Sequence, residues 1–206
     1  MIHTVNLDMT THCNRRCPEC CAGVGINRTL QHHDWPYFEH AAKFLHGVER
    51  INLTGGEPTA HPRFKEFVPR FRELFGCKLL TMSTNGYRVV RYIATIGLHI
   101  DYVHLSDYGD GAAALKAMEA IGVKTWIFDA GKDSLSFIKR DQRGSGSCFR
   151  DCSKSGTVAY ADGLLYGCCV APGIENAQGL EARPAWREVI EGFPLPCGDC
   201  LFAEAS

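Results

Sequence analysis

The sequence lacks a surplus of charge of either sign. Its 206 residues include 22 Lys and Arg against 23 Asp and Glu, a formal net charge of −1 at pH 7. Proteins that bind nucleic acid or an anionic membrane through their charge carry a basic excess, so neither partner is predicted. With 45% hydrophobic and 22% charged residues, the composition is that of a globular protein with one domain, or one domain and a small appendage.

Long hydrophobic runs are also missing. No apolar stretch approaches the roughly 18 residues that a membrane-spanning helix needs, and residues 1–3 lead into a strand pattern rather than a signal peptide. No Ser-His-Asp or Cys-His hydrolytic arrangement is apparent, and the nine histidines show no His-x3-His spacing. We therefore expect a cytoplasmic protein whose histidines lie at the surface or in the core.

Cysteine, in contrast, is abundant in this sequence. The chain has 11 cysteines, and in a reducing compartment such a number favours metal, cluster or redox chemistry over disulfides. They fall into two groups, separated by a long interval that contains only Cys77. The groups are Cys13, Cys17, Cys20 and Cys21, and then Cys148, Cys152, Cys168, Cys169, Cys197 and Cys200. We predict two thiolate sites, and a buried, structural role for Cys77.

Strand and helix patterns alternate between the two cysteine groups. The five predicted strands cover residues 4–9, 51–54, 79–84, 100–106 and 123–128. The four predicted helices cover residues 37–45, 64–75, 89–96 and 112–121, and Gly76, Gly97 and Gly122 end the last three. Such alternation indicates βαβ units and a parallel sheet. Because eight units would be needed to close a barrel, we predict an α/β fold with a partial (β/α) barrel of about five or six parallel strands.

Polar or small residues follow each predicted strand. They are His12 and Cys13, residues 55–58 (Gly-Gly-Glu-Pro), residues 83–86 (Ser-Thr-Asn-Gly), residues 106–108 (Ser-Asp-Tyr) and Asp129. Such residues are common in turns of any kind. However, the carboxyl ends of parallel strands share one edge of the sheet, where α/β proteins place their chemistry. Because the first member of the set is a cysteine cluster, we predict a site at this edge.

The first cysteine group has a distinctive spacing. Cys13-x3-Cys17-x2-Cys20 supplies three thiolates within eight residues. Zinc sites usually take four ligands, often in paired Cys-x2-Cys form, whereas three thiolates can hold three irons of a cubane and leave the fourth iron open. An open iron can bind a small molecule through an amine and a carboxylate. A structural zinc loop that borrows His12 remains the alternative.

This spacing directly after a first strand resembles the radical S-adenosylmethionine (SAM) superfamily. Residues 55–58 after the second strand match the GGE motif of that family. The resemblance covers roughly residues 3–128 and implies that Cys13, Cys17 and Cys20 hold a [4Fe-4S] cluster whose open iron chelates the methionine part of SAM. One departure is Glu19, which stands where the family often has an aromatic residue near the adenine.

The resemblance also implies contacts to SAM. Backbone groups of Gly55 and Gly56, together with Glu57, would receive the SAM amino group. Ser83 and Asn85 lie where family members often contact the ribose. In the family, the usual products of SAM cleavage are methionine and a 5′-deoxyadenosyl radical, which removes a hydrogen atom from an unreactive C–H bond.

The C-terminal cysteines suggest a second cluster. Residues 143–147 (Arg-Gly-Ser-Gly-Ser) resemble a flexible connector, so we expect a partial-barrel domain over 1–142 and a Cys-rich module over 143–206. A predicted hairpin over 157–166, with a turn at Asp162 and Gly163, precedes a predicted short helix over 184–193. The arrangement resembles the twitch and SPASM auxiliary-cluster modules of the superfamily.

The resemblance suggests four ligands for this second cluster. They are Cys152, Cys168, Cys197 and Cys200, with Cys148 as rival to Cys152 and Cys169 as rival to Cys168. A four-cysteine zinc knuckle is the alternative. Four protein thiolates would leave no vacant iron, so the cluster would serve better as an electron acceptor than as a substrate ligand.

The expected function is therefore a net two-electron oxidation of a small molecule by a radical SAM enzyme. The compact layout resembles the SAM-dependent dehydrogenase of aminocyclitol biosynthesis. Asp107 is the candidate base for a hydroxyl proton, with Tyr108 beside it. By the resemblance, an electron donor such as flavodoxin or ferredoxin would supply the cluster.

Two alternatives remain open. One is a radical SAM enzyme that modifies a peptide or amino acid, for example an epimerase that returns a hydrogen atom from Cys21, Cys148 or Cys169. Only twelve residues precede Cys13, which favours a small molecule over a peptide. The other alternative is a Cys-rich regulatory protein that senses metal or redox state.

Overall fold

The fold is known from a computed structural model, which describes residues 3–17, 20–24, 28–130, 156–174 and 177–182. Within these residues, eight strands form one sheet in the order β5-β4-β3-β2-β1-β6-β7-β8. The strands are β1 Thr4–Thr10, β2 Arg50–Gly55, β3 Leu79–Thr84, β4 Tyr102–Asp107, β5 Lys124–Asp129, β6 Thr157–Ala161, β7 Leu164–Tyr166 and β8 Leu180–Glu181. The helices are α1 Trp35–Leu45, α2 Phe64–Phe75, α3 Ile93–His99 and α4 Ala112–Ala120, and short 3-10 turns cover Pro58–Ala60, Val90–Tyr92 and Ala171–Gly173.

Strands β1 to β6 run parallel to one another in the sheet. The first five come from successive βα units, and β6 pairs with the free edge of β1, Thr4 facing Thr157. The predicted α/β fold, a partial barrel of about five or six parallel strands, is confirmed. The predicted helix over 184–193 and the expected domain boundary at 142/143 lie outside the described residues.

The predicted hairpin is part of the main sheet. Strands β6 and β7 are antiparallel, and Asp162 and Gly163 form the turn with φ of 52° and 83°. Because β6 hydrogen-bonds to β1, the hairpin and the βα units share one sheet rather than packing as separate bodies. The sequence pattern identified the hairpin but not the strand beside which it inserts.

Helices cover one face of the sheet. Val5, Leu7 and Met9 of β1 are fully buried on this face, as the period of two along a strand requires. Helix α2 contributes the largest apolar stripe, which consists of Phe64, Phe67, Val68, Phe71 and Phe75. It ends at Gly76, whose φ of 56° is the left-handed conformation typical of a helix C-cap. Cys77 is 5% exposed within the same core, which confirms its predicted burial.

The third helix differs from its prediction. Residues 90–92 form a 3-10 turn, and α3 runs through Gly97 to His99 instead of ending at Gly97. The amide of Ile100 still donates to the carbonyl of Ile96, so the glycine is accommodated inside the helix. Glycine weakens a helix without terminating it when the backbone remains in helical conformation.

The other face of the central strands is polar. Asn52 Nδ2 donates to Asn6 Oδ1 over 2.9 Å and to Ser83 Oγ over 3.1 Å. Nearer the carboxyl edge, Thr54 Oγ1 donates to Asp8 Oδ1 over 3.0 Å. This row of hydrogen-bonded side chains is the inner surface of the partial barrel and leads to the candidate site. No helix in the described part of the chain has the length and apolar character of a membrane span.

Candidate functional site

The first cysteine group lies on the loop that follows β1. Cys13, Cys17 and Cys20 are partly exposed free thiols. Cys21 follows directly, and the next described segment begins at Arg28. The departure at Glu19 lies outside the described residues. We call residues 11–24 the cysteine loop.

The Gly55-Gly56 pair anchors this loop to the end of β2. The amide of Gly56 donates to the carbonyl of Thr10 over 2.7 Å, and the amide of Glu57 donates to the carbonyl of His12 over 2.8 Å. A Cβ on Gly55 would lie 2.2 Å from the carbonyl oxygen of Thr10, and one on Gly56 would lie 2.2 Å from that of His12. Only glycine permits this approach, so the motif brings two backbones together.

The Glu57 carboxylate points into the protein. The residue is 1% exposed, and its Oε1 accepts hydrogen bonds from Thr59 N, Thr59 Oγ1 and Thr84 Oγ1. Its Oε2 accepts from Asn85 N over 2.7 Å. Four donors match the capacity of a carboxylate. Burial raises the pKa of Glu57, and the hydrogen bonds oppose that rise. The structure thus gives Glu57 a role in joining the ends of β2 and β3 that the motif did not predict, and its contact to SAM stays a prediction.

Asn85 connects the end of β3 to the cysteine loop. Its Nδ2 donates to Asn14 Oδ1 over 2.9 Å and approaches Cys13 Sγ at 3.6 Å. Cys13 Sγ also accepts from the amide of Arg15 over 3.3 Å. Ser83 instead faces the inner surface of the barrel, where its Oγ accepts from Asn52. The predicted ribose contacts of Ser83 and Asn85 stay predictions.

Tyr108, in the loop after β4, also contacts the cysteine loop. The thiol of Cys17 donates to Tyr108 Oη over 3.6 Å. The guanidinium of Arg15 lies 4.1 Å from the centre of the Tyr108 ring and pairs with the carboxylate of Asp110. Burial raises the pKa of Tyr108. Three consecutive strand ends therefore contact the cysteine loop, as the polar strand ends in the sequence predicted.

The candidate base Asp107 supports the turn after β4. Its Oδ1 accepts from the amides of Gly109 and Gly111, each over 2.8 Å. Asp107 pairs with Asp129 in the register of β4 and β5, so both residues lie at the carboxyl edge. The role of Asp107 as a base stays a prediction, and its position shows a structural role that the sequence did not indicate.

A cleft of about 380 Å³ opens beside Cys13. Its lining consists of His12, Cys13, Asn14, His32, Ala60, Pro62, Tyr87 and Arg88. His12 and His32 stack with ring centres 4.0 Å apart. Burial and the two neighbouring imidazoles lower the pKa of His32 to about 4. This stacked pair was not predictable from local patterns, because the two residues are brought together by the antiparallel bridge between Thr10 and His32.

Only part of the second cysteine group lies in the described residues. Cys148, Cys152, Cys197 and Cys200 fall outside them. Cys168 and Cys169 follow β7, and both of them, like Cys21 of the cysteine loop, pack against Val170 and Ile174. A hydrogen bond from Cys169 lowers the pKa of Cys168 to about 7 against the opposing effect of burial. The two cysteine groups are thus neighbours in space, although about 150 positions separate them in the chain.

The donor set suits a cluster that several thiolates share. No three Cys, His, Asp or Glu side chains of the described residues converge on a point that could hold one metal ion. A cubane does not require such convergence, because each thiolate binds a different iron. Burial raises the pKa of Cys13 to about 11, so iron would have to displace a proton from this thiol. Three partly exposed thiols on one loop, two of them hydrogen-bonded to neighbouring groups, fit a [4Fe-4S] cluster.

The sequence profile of the radical SAM superfamily matches residues 7–106. This segment is a radical SAM domain. It contains the cysteine loop, the Gly55-Gly56 pair and Asn85, whose contacts make up the candidate site. The resemblance drawn from the two motifs is therefore confirmed for the domain.

Curated relatives from several organisms match part of this chain. A GTP 3′,8-cyclase of Edwardsiella ictaluri is 37% identical over 93 residues, 42% of this chain and 28% of that protein. A GTP 3′,8-cyclase of Geobacter sulfurreducens is 31% identical over 144 residues, 66% of this chain and 44% of that protein. Molybdenum cofactor biosynthesis protein 1 of Bos taurus is 32% identical over 94 residues. The chain spans less than half the length of these relatives.

One solved structure shares most of the fold. The crystal structure of BtrN in complex with AdoMet and 2-DOIA superposes with a TM-score of 0.64, covering 82% of this chain and 74% of that one. An open conformation of BtrN superposes with a TM-score of 0.54. At 17% and 16% identity, these likenesses show a common fold. They agree with a partial barrel extended by further strands.

Proposed function

We propose that this protein is a radical SAM enzyme that holds a [4Fe-4S] cluster on Cys13, Cys17 and Cys20. The observation that carries the proposal is the convergence of three strand ends on a loop with this cysteine spacing, inside a radical SAM domain. Bound there, the cluster would supply one electron to SAM, which breaks a carbon–sulfur bond and yields a 5′-deoxyadenosyl radical.

The chain itself would orient the cluster and exclude competing reactions. The amides of Gly56 and Glu57 fix the base of the loop, and the amide of Arg15 and the side chain of Asn85 surround Cys13 Sγ. Hydrogen bonds to cluster sulfurs tune the reduction potential. Gly55, Gly56 and Glu57 with Ser83 and Asn85 are the proposed SAM contacts, and the contacts of Gly56 and Glu57 with His12, next to Cys13, support that assignment.

We propose a net oxidation of a small molecule as the reaction. The second cluster would be held by Cys152, Cys168, Cys197 and Cys200 in a C-terminal module over 143–206, after a barrel domain over 1–142. The packing of Cys168 near Cys21 supports a second site close to the first. A pKa of about 7 for Cys168 favours the thiolate form that a metal needs. A flavodoxin or ferredoxin would be the electron donor, and Asp107 would accept the hydroxyl proton.

A second candidate is cyclisation of a nucleotide. It is favoured by the relatives of 31–37% identity that are named GTP 3′,8-cyclase. Incubation with GTP and SAM distinguishes the two reactions, because cyclisation consumes GTP whereas the proposed oxidation leaves it unchanged. Incorporation of solvent deuterium into a product of unchanged composition would instead favour the epimerase alternative.

The decisive experiment is SAM cleavage by the anaerobically reconstituted full-length chain. With dithionite and SAM we expect 5′-deoxyadenosine, detected by liquid chromatography and mass spectrometry, and its loss in Cys13→Ala, Cys17→Ala and Cys20→Ala. Cys77→Ala is the matched control, since Cys77 lies in the helical core. About eight irons and eight sulfides per chain would support two cubanes, and about four of each would support only the first. Equal output from wild type and Cys13→Ala would refute the proposal.

A further inference from the structure

Arg28 lies behind the cysteine loop between two carboxylates. Its side chain is 5% exposed, and its Nη1 lies 2.6 Å from Asp8 Oδ2, a side chain that is 6% exposed. Its Nε donates to Asp162 Oδ2 over 2.8 Å, and its Nη2 donates to Asp162 Oδ1 over 3.0 Å. Arg28 therefore forms a bidentate pair with one aspartate and a further pair with the other.

The same guanidinium also binds the cysteine loop itself. Its Nη1 donates to the carbonyl of Ala22 over 3.1 Å, and Ala22 lies two residues after Cys20 in the sequence. Gln31 Nε2 adds a hydrogen bond to Asp162 Oδ1 over 2.9 Å. One side chain thus links β1, the cysteine loop and the turn between β6 and β7.

A second contact joins the loop to the segment after β7. A Cβ on Gly173 would lie 2.2 Å from the carbonyl oxygen of Cys21 and 2.9 Å from the amide of Gly23. Val170 and Ile174 pack against the Cys21 side chain. The cysteine loop is therefore connected to two parts of the chain beyond position 155. One is Asp162, through Arg28, and the other is the segment 170–174.

Removing Arg28 would leave Asp8 buried without its counter-charge, and removing either aspartate would leave Arg28 with one carboxylate partner instead of two. Breaking a buried ion pair is costly because the remaining charge has lost its water without compensation. The three segments are therefore expected to associate as a unit. The left-handed backbone of Asp162, with a φ of 52°, aims its carboxylate at Arg28, and asparagine can adopt the same conformation.

We propose that Arg28 is a positioning residue that locks the cysteine loop onto the β6–β7 turn, so that the geometry of the candidate cluster ligands depends on the C-terminal hairpin. The proposal rests on the proposed function only in that it takes the loop to be a cluster site. The coupling itself concerns the metal-free chain.

The test is alkylation of the reduced, metal-free full-length chain with N-ethylmaleimide, followed residue by residue by mass spectrometry. Cys21 reports on the loop, and Cys77 reports on the helical core. In Asp162→Asn and in Arg28→Gln we expect Cys21 to react about tenfold faster than in wild type, the factor that loss of one charge-assisted hydrogen bond produces. Cys77 should react at the wild-type rate. Arg63→Gln is the matched control, because Arg63 pairs with Asp34 and Glu66 on the surface.

Two outcomes of the alkylation would overturn the proposal. One is an unchanged rate at Cys21 in both variants, and the other is a parallel rise at Cys21 and Cys77, which would mean that the pair stabilises the whole fold. Neither outcome depends on cluster binding, so failure here is distinguishable from failure of the proposed function. In the reconstituted, dithionite-reduced chain we expect an altered electron paramagnetic resonance spectrum for Asp162→Asn and an unaltered one for Arg63→Gln. An iron–sulfur signal that is present and identical in wild type, Asp162→Asn and Arg63→Gln would also refute it.

Discussion

Replacing Gly56 with alanine should displace the cysteine loop. The added Cβ would lie 2.2 Å from the carbonyl oxygen of His12, 2.6 Å from its carbonyl carbon and 3.1 Å from Cys13 Cβ. The contacts to His12 are backbone atoms, so no rotation of a side chain relieves them. Relief requires the cysteine loop to move away from the end of β2.

The cost of this movement follows from what holds the two backbones together. The hydrogen bonds from Gly56 N to Thr10 O and from Glu57 N to His12 O contribute roughly 1 kcal/mol each. Overpacking against a fixed backbone adds roughly 1–3 kcal/mol. We expect the free energy of unfolding to fall by about 3 kcal/mol, a large share of the roughly 5–15 kcal/mol that stabilises a typical domain.

The measurement is urea unfolding of the reduced, metal-free chain followed by circular dichroism. The control is Gly97→Ala, whose Cβ would lie 2.7 Å from Ile121 Cδ1, the far end of a flexible side chain. Since Ala also favours a helix by roughly 0.5–1 kcal/mol over Gly, Gly97→Ala should be close to neutral. Iron bound after reconstitution should fall in Gly56→Ala, because Cys13 moves with His12. A loss below about 1 kcal/mol with wild-type iron content would refute this reasoning.

Three further outcomes are expected. Glu57→Gln replaces one carboxylate oxygen by an NH2 group, which would face groups that themselves donate hydrogen bonds. We expect the free energy of unfolding to fall by about 2–3 kcal/mol in a urea titration. Glu66→Gln on the surface is the control and should change it little. Burial lowers the pKa of His33 from 6.5 to about 4. As the pH falls, His33 is therefore protonated in the unfolded chain before it is protonated in the folded protein. The free energy of unfolding should fall by up to about 3 kcal/mol as the pH drops from 6.5 to 4. His33→Phe should flatten that slope in unfolding curves measured across the range; an unchanged slope would assign it to other groups. Asp107→Asn keeps the oxygen that supports the turn, so a turnover reduced by about 100-fold or more would identify a base, and full turnover would remove Asp107 from that role.

Local patterns predicted the fold because they report directly on burial. The spacing of Phe64, Phe67, Phe71 and Phe75 places them on one side of a helix, and the structure buries all four. Alternating strands and helices predicted parallel pairing, since a helix-length crossover returns the chain in the same direction. The cysteine spacing predicted the site for a similar reason, because three ligands within one loop need no distant contact to come together.

Contacts between distant segments were not predictable in the same way. The motif does not show that the Glu57 carboxylate is buried, because Thr84 and Asn85, which donate hydrogen bonds to it, lie at the end of the next strand. The alternation of Asn6 and Asp8 along β1 does indicate a polar inner surface. The residues to which these two side chains hydrogen-bond, however, are set only by the register of the sheet.

The sequence by itself determined the alternation of elements, the helical core and the three-cysteine loop, because each depends on residues a few positions apart. The tertiary structure decided that β6 inserts beside β1 and that Arg28 joins Asp8 to Asp162, which lies 134 positions after Arg28 in the chain. The partner of a buried charge is a residue that the folded chain brings next to it, because a buried charge without a partner has lost its water without compensation. Such a pairing leaves no periodic trace in the sequence, and only the folded structure reveals it.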